Sequence, residues 1–354
     1  MQRRVESLRK QMGSTGLDSF VVTDMKNVRY LTGFTGSSGA LMIDSGTATL
    51  ITDFRYAEQV EEETEGFDIR ISKEAPLLEG ARLKNGFKGR LGFEAKSMSY
   101  LDFSKLKGVL PEAQFIPCES LVQDLRKVKD PYEIGKIREA ARIGDAVFDE
   151  ILVEIRPGIT ESELAAEIDH RFRAKGSSGS AFETIVASGP RSSMPHARAG
   201  ERRLTNGDMI TFDMGAVFDG YCSDMTRTVV LGEADESQRS VYQLVLDAQQ
   251  RALDMVKPGV KSCDLDRAAR EMIEDKGYGE NFGHRLGHGV GLDVHEEPVI
   301  SGKVDAPVSV NMVFTVEPGV YLPKRWGVRI EDTVVVREDG SERLTLSAKE
   351  LMEL

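Results

Sequence analysis

Cysteine is scarce in this chain of 354 residues: there are three, at positions 118, 222 and 263, far apart and odd in number. That excludes a disulfide framework and any thiolate zinc spacing, and points to reduced thiols in a cytoplasmic protein. Long apolar runs are missing too. No stretch approaches the roughly 18 residues of a membrane span, and the mixed charges of Arg3, Arg4, Glu6, Arg9 and Lys10 leave no room for the apolar core of a signal peptide. Positive charge is in deficit, with 46 Lys and Arg against 58 Asp and Glu, a net charge of −12. Such a surface repels a polyphosphate, which argues against a nucleic-acid partner. Internal repeats and low-complexity tracts are also lacking.

The chain is long for one core and comfortable for two. In the first third, short apolar runs (17–23, 39–43 and 48–52) alternate with a turn-rich segment, 32–39, and with an acidic run, 56–65, suited to an exposed helix. This predicts a small α/β domain over 1–126. A polar stretch, Lys127 to Pro131, reads as a linker, and Asp130-Pro131-Tyr132-Glu133 as a helix start with an acidic cap and proline at the first helical position. Helices are expected from there past Leu152, over 162–175, over 240–256 and over 264–276. Between and after them lie Val-, Ile- and Thr-rich segments joined as hairpins, so 127–354 reads as an α+β domain.

The stretch Asp208 to Thr228 carries the first chemistry. Asp219-Gly220 between two strand-like runs is a hairpin signal. With those residues as the turn, Asp213 faces Thr226, and Asp224 lies two positions further along the same face. The two aspartates are then diagonal neighbours with Cα atoms about 7–8 Å apart. They either converge on cations or sit as solvated strand acids. The histidines bear on that choice: of five in the chain, His284, His288 and His295 fall within twelve residues, in a segment whose glycines exclude a stable helix. His170, in a helix of acids and arginines, reads as merely solvated. Two glutamates interrupt later apolar strands, Glu317 in 312–319 and Glu331 in 327–336. A hairpin centred on Lys324 sets them opposite each other. Buried glutamates need pairing or coordination, and Arg329 alone cannot neutralise both. Two Asp, two Glu and one His, with no thiolate, suit a pair of divalent first-row ions and hydrolytic chemistry.

In that order, with ten residues between Asp213 and Asp224, these residues resemble the pita-bread metallopeptidases, the group of methionine aminopeptidase, aminopeptidase P, prolidase and creatinase. The resemblance spans 127–354. Pro195-His196 ahead of Asp213, the loop His288 to Glu296 and the strand Arg329-Ile330-Glu331-Asp332 are similar to the proline-specific branch, as is the presence of an N-terminal domain. Creatinase lacks the metal ligands and is set aside. The resemblance implies a pita-bread α+β domain behind a smaller creatinase-like α/β domain that restricts substrates and takes part in dimerisation. It implies a homodimer that hydrolyses the Xaa-Pro bond of short proline-containing peptides or dipeptides through a hydroxide shared by two metal ions, with manganese first and cobalt, iron or zinc as alternatives.

By the same resemblance Asp213 chelates one metal, Asp224 and Glu331 span both, and His288 and Glu317 complete the other shell. Glu317 is also the general base. His196 and His295 steady substrate and oxyanion, and His284 and Arg329 also line the substrate site, Arg329 as a partner behind the ligands. The competing readings are a non-catalytic peptide- or protein-binding relative, an aminopeptidase of other specificity, and a two-metal phosphoesterase. The last would want a phosphate loop, and the glycines at 283–291 flank histidines instead.

Overall fold

The computed structural model describes residues 1–354, which form two compact units, Met1–Arg126 and Lys127–Leu354.

In the first unit six strands make one mixed sheet, in the spatial order Asp68–Ser72, Ala48–Asp53, Ala40–Asp44, Ser19–Val22, Arg90–Glu94, Gln114–Cys118. The central strand Ser19–Val22 is buried throughout, as an apolar run with a helix-bearing sheet requires. Val21, Met42, Ile51, Leu91 and Phe93 build its core. The acidic run forms the short helix Ala57–Glu63. Inside this unit Glu94 is buried yet satisfied. It accepts the Thr23 and Asp24 amides at 2.7 and 2.8 Å and the Asn27 side chain, whose own oxygen accepts from Arg126 at 2.8 Å.

The second unit opens with a helix whose cap matches its sequence. Asp130 accepts the Glu133 amide while Glu133 reaches back to the Asp130 amide, and Pro131 begins Pro131–Leu152. Glu161–Ala174, Glu236–Met255 and Ser262–Asp275 follow as amphipathic helices. Every strand ladder of this unit is antiparallel. One sheet orders Met225–Val230, Met209–Met214 and Ile185–Ser188. A second orders Glu296–Ile300, Gly287–Gly289, Val313–Val316, Asp332–Arg337 and Gly340–Arg343. This is the α+β arrangement expected.

Two registers carry the site. Asp219 and Gly220 both have positive φ, +46° and +72°, as a two-residue hairpin turn needs. From that turn Phe218 pairs with Tyr221, Met214 with Met225 and Asp213 with Thr226. The later hairpin pairs Leu322 with Trp326 near its tip, Gly319 with Arg329 further down and Val316 with Asp332 beyond that. Glu317 and Glu331 thus lie at the same level, but there the ladder opens. The Glu317 amide turns to the Leu286 carbonyl at 2.9 Å and the Glu331 amide to the Thr226 carbonyl at 3.1 Å.

The polar stretch at 127–131 is not a solvated linker. Val128 bridges Met312, the Lys129 amide donates to Asn311 at 3.0 Å, and the Lys129 side chain, 1% exposed, pairs with Glu296 at 2.9 Å. A buried ammonium is held only by such a partner, and Glu296 lies 167 positions away in sequence, where no local pattern announces it.

Candidate active site

The opening in the ladder is where the side chains converge. Strand Met209–Met214 supplies Asp213, the turn into Met225–Val230 supplies Asp224, Gly287–Gly289 supplies His288, and the two edges of the opening supply Glu317 and Glu331. His288 is carried on a backbone only glycine allows. A Cβ at Gly287 would sit 1.9 Å from the Thr315 carbonyl oxygen, and one at Gly289 2.2 Å from that of Glu297.

Ligand atoms of Asp224, His288 and Glu331, all three buried, lie within 4.8 Å of one another. His288 Nε2 is 3.6 Å from Asp224 Oδ2 and 3.3 Å from Glu317 Oε1. Its Nδ1 faces the Gly289 carbonyl at 3.2 Å, which fixes the ring proton on Nδ1 and turns Nε2 toward the acids. Asp213 enters through Arg329, whose Nη2 donates to Asp213 Oδ2 at 2.6 Å. The other oxygen of Asp213, Oδ1, is buried without a partner.

The charges show how tightly the donors are packed. Burial, then the charges of Glu331 and Asp213, push the Asp224 carboxyl well above its ordinary range. Burial, then Glu317 and Asp213, do the same to Glu331. Burial also raises Asp213, against the pull of Arg329. Glu317 differs: burial pushes it up, but the hydrogen bond and charge of His288, with the charges of His284 and Arg329, together bring it down to about 2. Four carboxylates with one ring nitrogen and one orphaned oxygen form a set that repels itself until cations enter, and oxygen and imidazole donors suit divalent ions. The residues fit a metal centre.

A cavity of about 440 Å³ lies over these groups, walled also by Phe182, Ile185, His196, His284, His295 and Arg285. His196 and His295 are exposed on its wall. The His295 ring lies against His288, centroids 4.1 Å apart, and burial together with the charge of His288 lowers it to about 4. His284 lines the cavity with both nitrogens occupied, Nδ1 at the Arg285 carbonyl (2.8 Å) and Nε2 at the Tyr321 hydroxyl (2.9 Å). It therefore begins a chain, His284 to Tyr321 to Arg329 to Asp213, instead of offering a free ring. Arg329 Nη1 meets the Tyr321 hydroxyl at 2.9 Å and the Pro195 carbonyl at 3.3 Å. Its carboxylate partner is Asp213, not the glutamates that flank it in sequence. His170 stays exposed on its helix.

Sequence reasoning passed over Tyr321 and Thr226. Both are buried polar residues in apolar strands, the same signal that marked Glu317 and Glu331, but a hydroxyl raises it less sharply than a charge.

The chain is similar to known proteins over almost its whole length. Residues 135–338 match the model of metallopeptidase family M24, and residues 4–128 that of the creatinase/prolidase N-terminal domain. The Xaa-Pro dipeptidase of Pyrococcus furiosus is 38% identical over 353 residues, covering 99% of this chain and 100% of that one. A solved Xaa-Pro dipeptidase from Bacillus anthracis superposes with a TM-score of 0.97 at 40% identity, covering 100% and 99% of the two chains. The X-Pro aminopeptidase of Thermotoga maritima gives 0.90 at 41%, covering 96% and 98%.

Proposed function

Since the chain belongs to metallopeptidase family M24 and carries that family's creatinase/prolidase type of N-terminal domain, we propose that it is a dinuclear metallo-exopeptidase that cleaves Xaa-Pro dipeptides and short Xaa-Pro peptides. The observation that carries this reading is the convergence of Asp224, His288 and Glu331 within 4.8 Å, with Glu317 and Asp213 beside them. Two dications balance the four carboxylates, and manganese suits all five donors, with cobalt, iron and zinc close behind. Similarity to the dipeptidases and the aminopeptidase named above supports the proline preference.

When bound, the ions supply Lewis acidity and bring water's pKa from 15.7 toward 7. The protein's own groups do the rest. Glu317, whose Oε1 lies 3.3 Å from His288 Nε2 at the edge of the cluster, accepts the proton of the attacking water. His288 presents Nε2 because its Nδ1 proton is spent on Gly289. His196 and His295 stand on the cavity wall where a carbonyl oxygen gaining charge would need a donor. Arg329 holds Asp213 in place and is itself held by Tyr321. A proline nitrogen carries no hydrogen and its ring fixes the backbone, so a shaped pocket is required to accept that bond. The apolar wall of Phe182 and Ile185 offers one.

Three cysteines, far apart and odd in number, fit a reducing, cytoplasmic setting, and a homodimer follows by family likeness, checked by light scattering on the eluting protein. The deciding experiment is product analysis on proline-containing peptides of two to five residues with Mn²⁺ or Co²⁺. Release of the first residue from the dipeptide, abolished by a chelator, supports the proposal. No cleavage of any member overturns it.

A further inference from the structure

We propose that Thr226 is the positioning residue of Glu331: its hydroxyl, polarised by Arg329, fixes the orientation in which that carboxylate meets a cation. This rests on the metal-centre reading above and adds to it a residue outside the donor set.

Glu331 sits at a break between the strands Trp326–Arg329 and Asp332–Arg337, where the hairpin partner has turned away. All three of its polar groups are instead held by two consecutive residues. Its amide donates to the Thr226 carbonyl at 3.1 Å, its carbonyl accepts from the Arg227 guanidinium, and its Oε2 accepts from the Thr226 hydroxyl at 2.6 Å. Thr226 is 0% exposed and Glu331 2%, so no solvent can replace these bonds.

A threonine hydroxyl has one proton. Arg329 Nε donates to Thr226 Oγ1 at 3.0 Å, and a guanidinium can only donate. When Glu331 is ionised, as a cation-binding carboxylate is, the hydroxyl proton must therefore point at Glu331 Oε2, which is thereby committed as an acceptor. The remaining lone pairs of the carboxylate are left for the side where Asp224 and His288 wait. Arg329 reaches Asp213 by Nη2 as well, so one guanidinium orients donors on both sides of the cluster, one directly and one through Thr226. Outer partners of this kind change metal affinity when removed.

The test is titration of Mn²⁺ into the chelator-stripped full chain by calorimetry. Thr226→Val, which keeps the shape and removes the hydroxyl, is expected to weaken Mn²⁺ binding by about 10–100-fold. Thr226→Ser, which keeps the hydroxyl and removes a methyl, is expected to bind as the parent does. Unchanged affinity in Thr226→Val overturns the proposal, and so does a Thr226→Ser that fails as badly as Thr226→Val, since packing would then be the cause. If Thr226→Val does not fold, Thr226→Cys takes its place: its thiol is a weak donor, so affinity should still fall, and binding equal to Thr226→Ser overturns the idea. A parent chain that takes up no Mn²⁺ overturns the metal-centre reading itself, which equal binding by parent and variant does not.

Discussion

Glu331 and Asp332 are neighbours in sequence, both carboxylates, both almost wholly buried, and they live in opposite worlds. Asp332 points into a nest of cations. Arg227 Nη2 lies 2.8 Å away, Lys349 Nζ 3.0 Å and Arg343 3.4 Å, with Gln249 and Thr345 completing its hydrogen bonds. Although burial pushes it up, Arg227 and Lys349 hold its carboxyl far below the ordinary range. Glu331 points the other way, toward Asp224, Asp213 and Glu317, and its carboxyl is driven up. Glu331 lies at the break just before the strand and Asp332 is the strand's first residue, and the two side chains enter different environments. Charge that is already neutralised holds the fold together; charge left unneutralised is a site in need of a ligand.

That contrast can be broken from either side. The largest effect on stability should come from Asp332→Ala. It strands Arg227 and Lys349 in the interior, a loss of about 3–5 kcal/mol, visible as a sharp fall in the urea midpoint. An unchanged midpoint would show that those cations find other partners. Next comes cation binding. Mn²⁺ at a hundred times its dissociation constant should add about 2.7 kcal/mol to the chelated protein, read as a rise in melting temperature that a chelator reverses. A melting temperature indifferent to Mn²⁺ would contradict the metal centre.

Smaller, and opposite in sign to Asp332→Ala, is Glu331→Gln. In the metal-free protein it removes one like charge and puts an amide donor among acids, which should stabilise by about 1–2 kcal/mol while Mn²⁺ binding is lost. A destabilised variant would mean that Glu331 is structural, like its neighbour.

The subtlest test is pH. Asp224 and Glu331 have folded pKa values raised above the unfolded ones, so their contribution is fully present below the unfolded range near about 4 and is lost as pH rises through the folded values. Asp332 is depressed, so its contribution is present above the unfolded range and lost as pH falls through the folded value. The stability gap between metal-free parent and Glu331→Gln should therefore widen as pH rises above about 4.3. A gap constant from pH 4 to 8 would deny the repulsion.

Much of this site is legible in the residue order. The hairpin turn at Asp219-Gly220 sets the register that brings Asp213 opposite Thr226, because a two-residue turn leaves a single pairing. A tip centred on Lys324 likewise places Glu317 level with Glu331. Glycines about His288 announced a close backbone approach, and the Asp130 cap announced the helix that opens the second unit. What escaped was long in range. Lys129 looked like linker because its partner is Glu296. Arg329 was expected behind the ligands only by resemblance, and nothing local showed that its guanidinium reaches 116 positions back to Asp213. His284 was expected to line the substrate site, and its engagement by the Tyr321 hydroxyl, 37 positions away, had no local signal.

Local order, turn geometry and the identity of the donors follow from residue types at short spacing, since φ preferences, side-chain period and coordinating chemistry act over a few residues. Which acid receives a cation and which receives only other acids depends on chain segments a hundred positions apart meeting in a water-free interior. There the hydrogen-bond partners, not the residue type, decide what a carboxylate does.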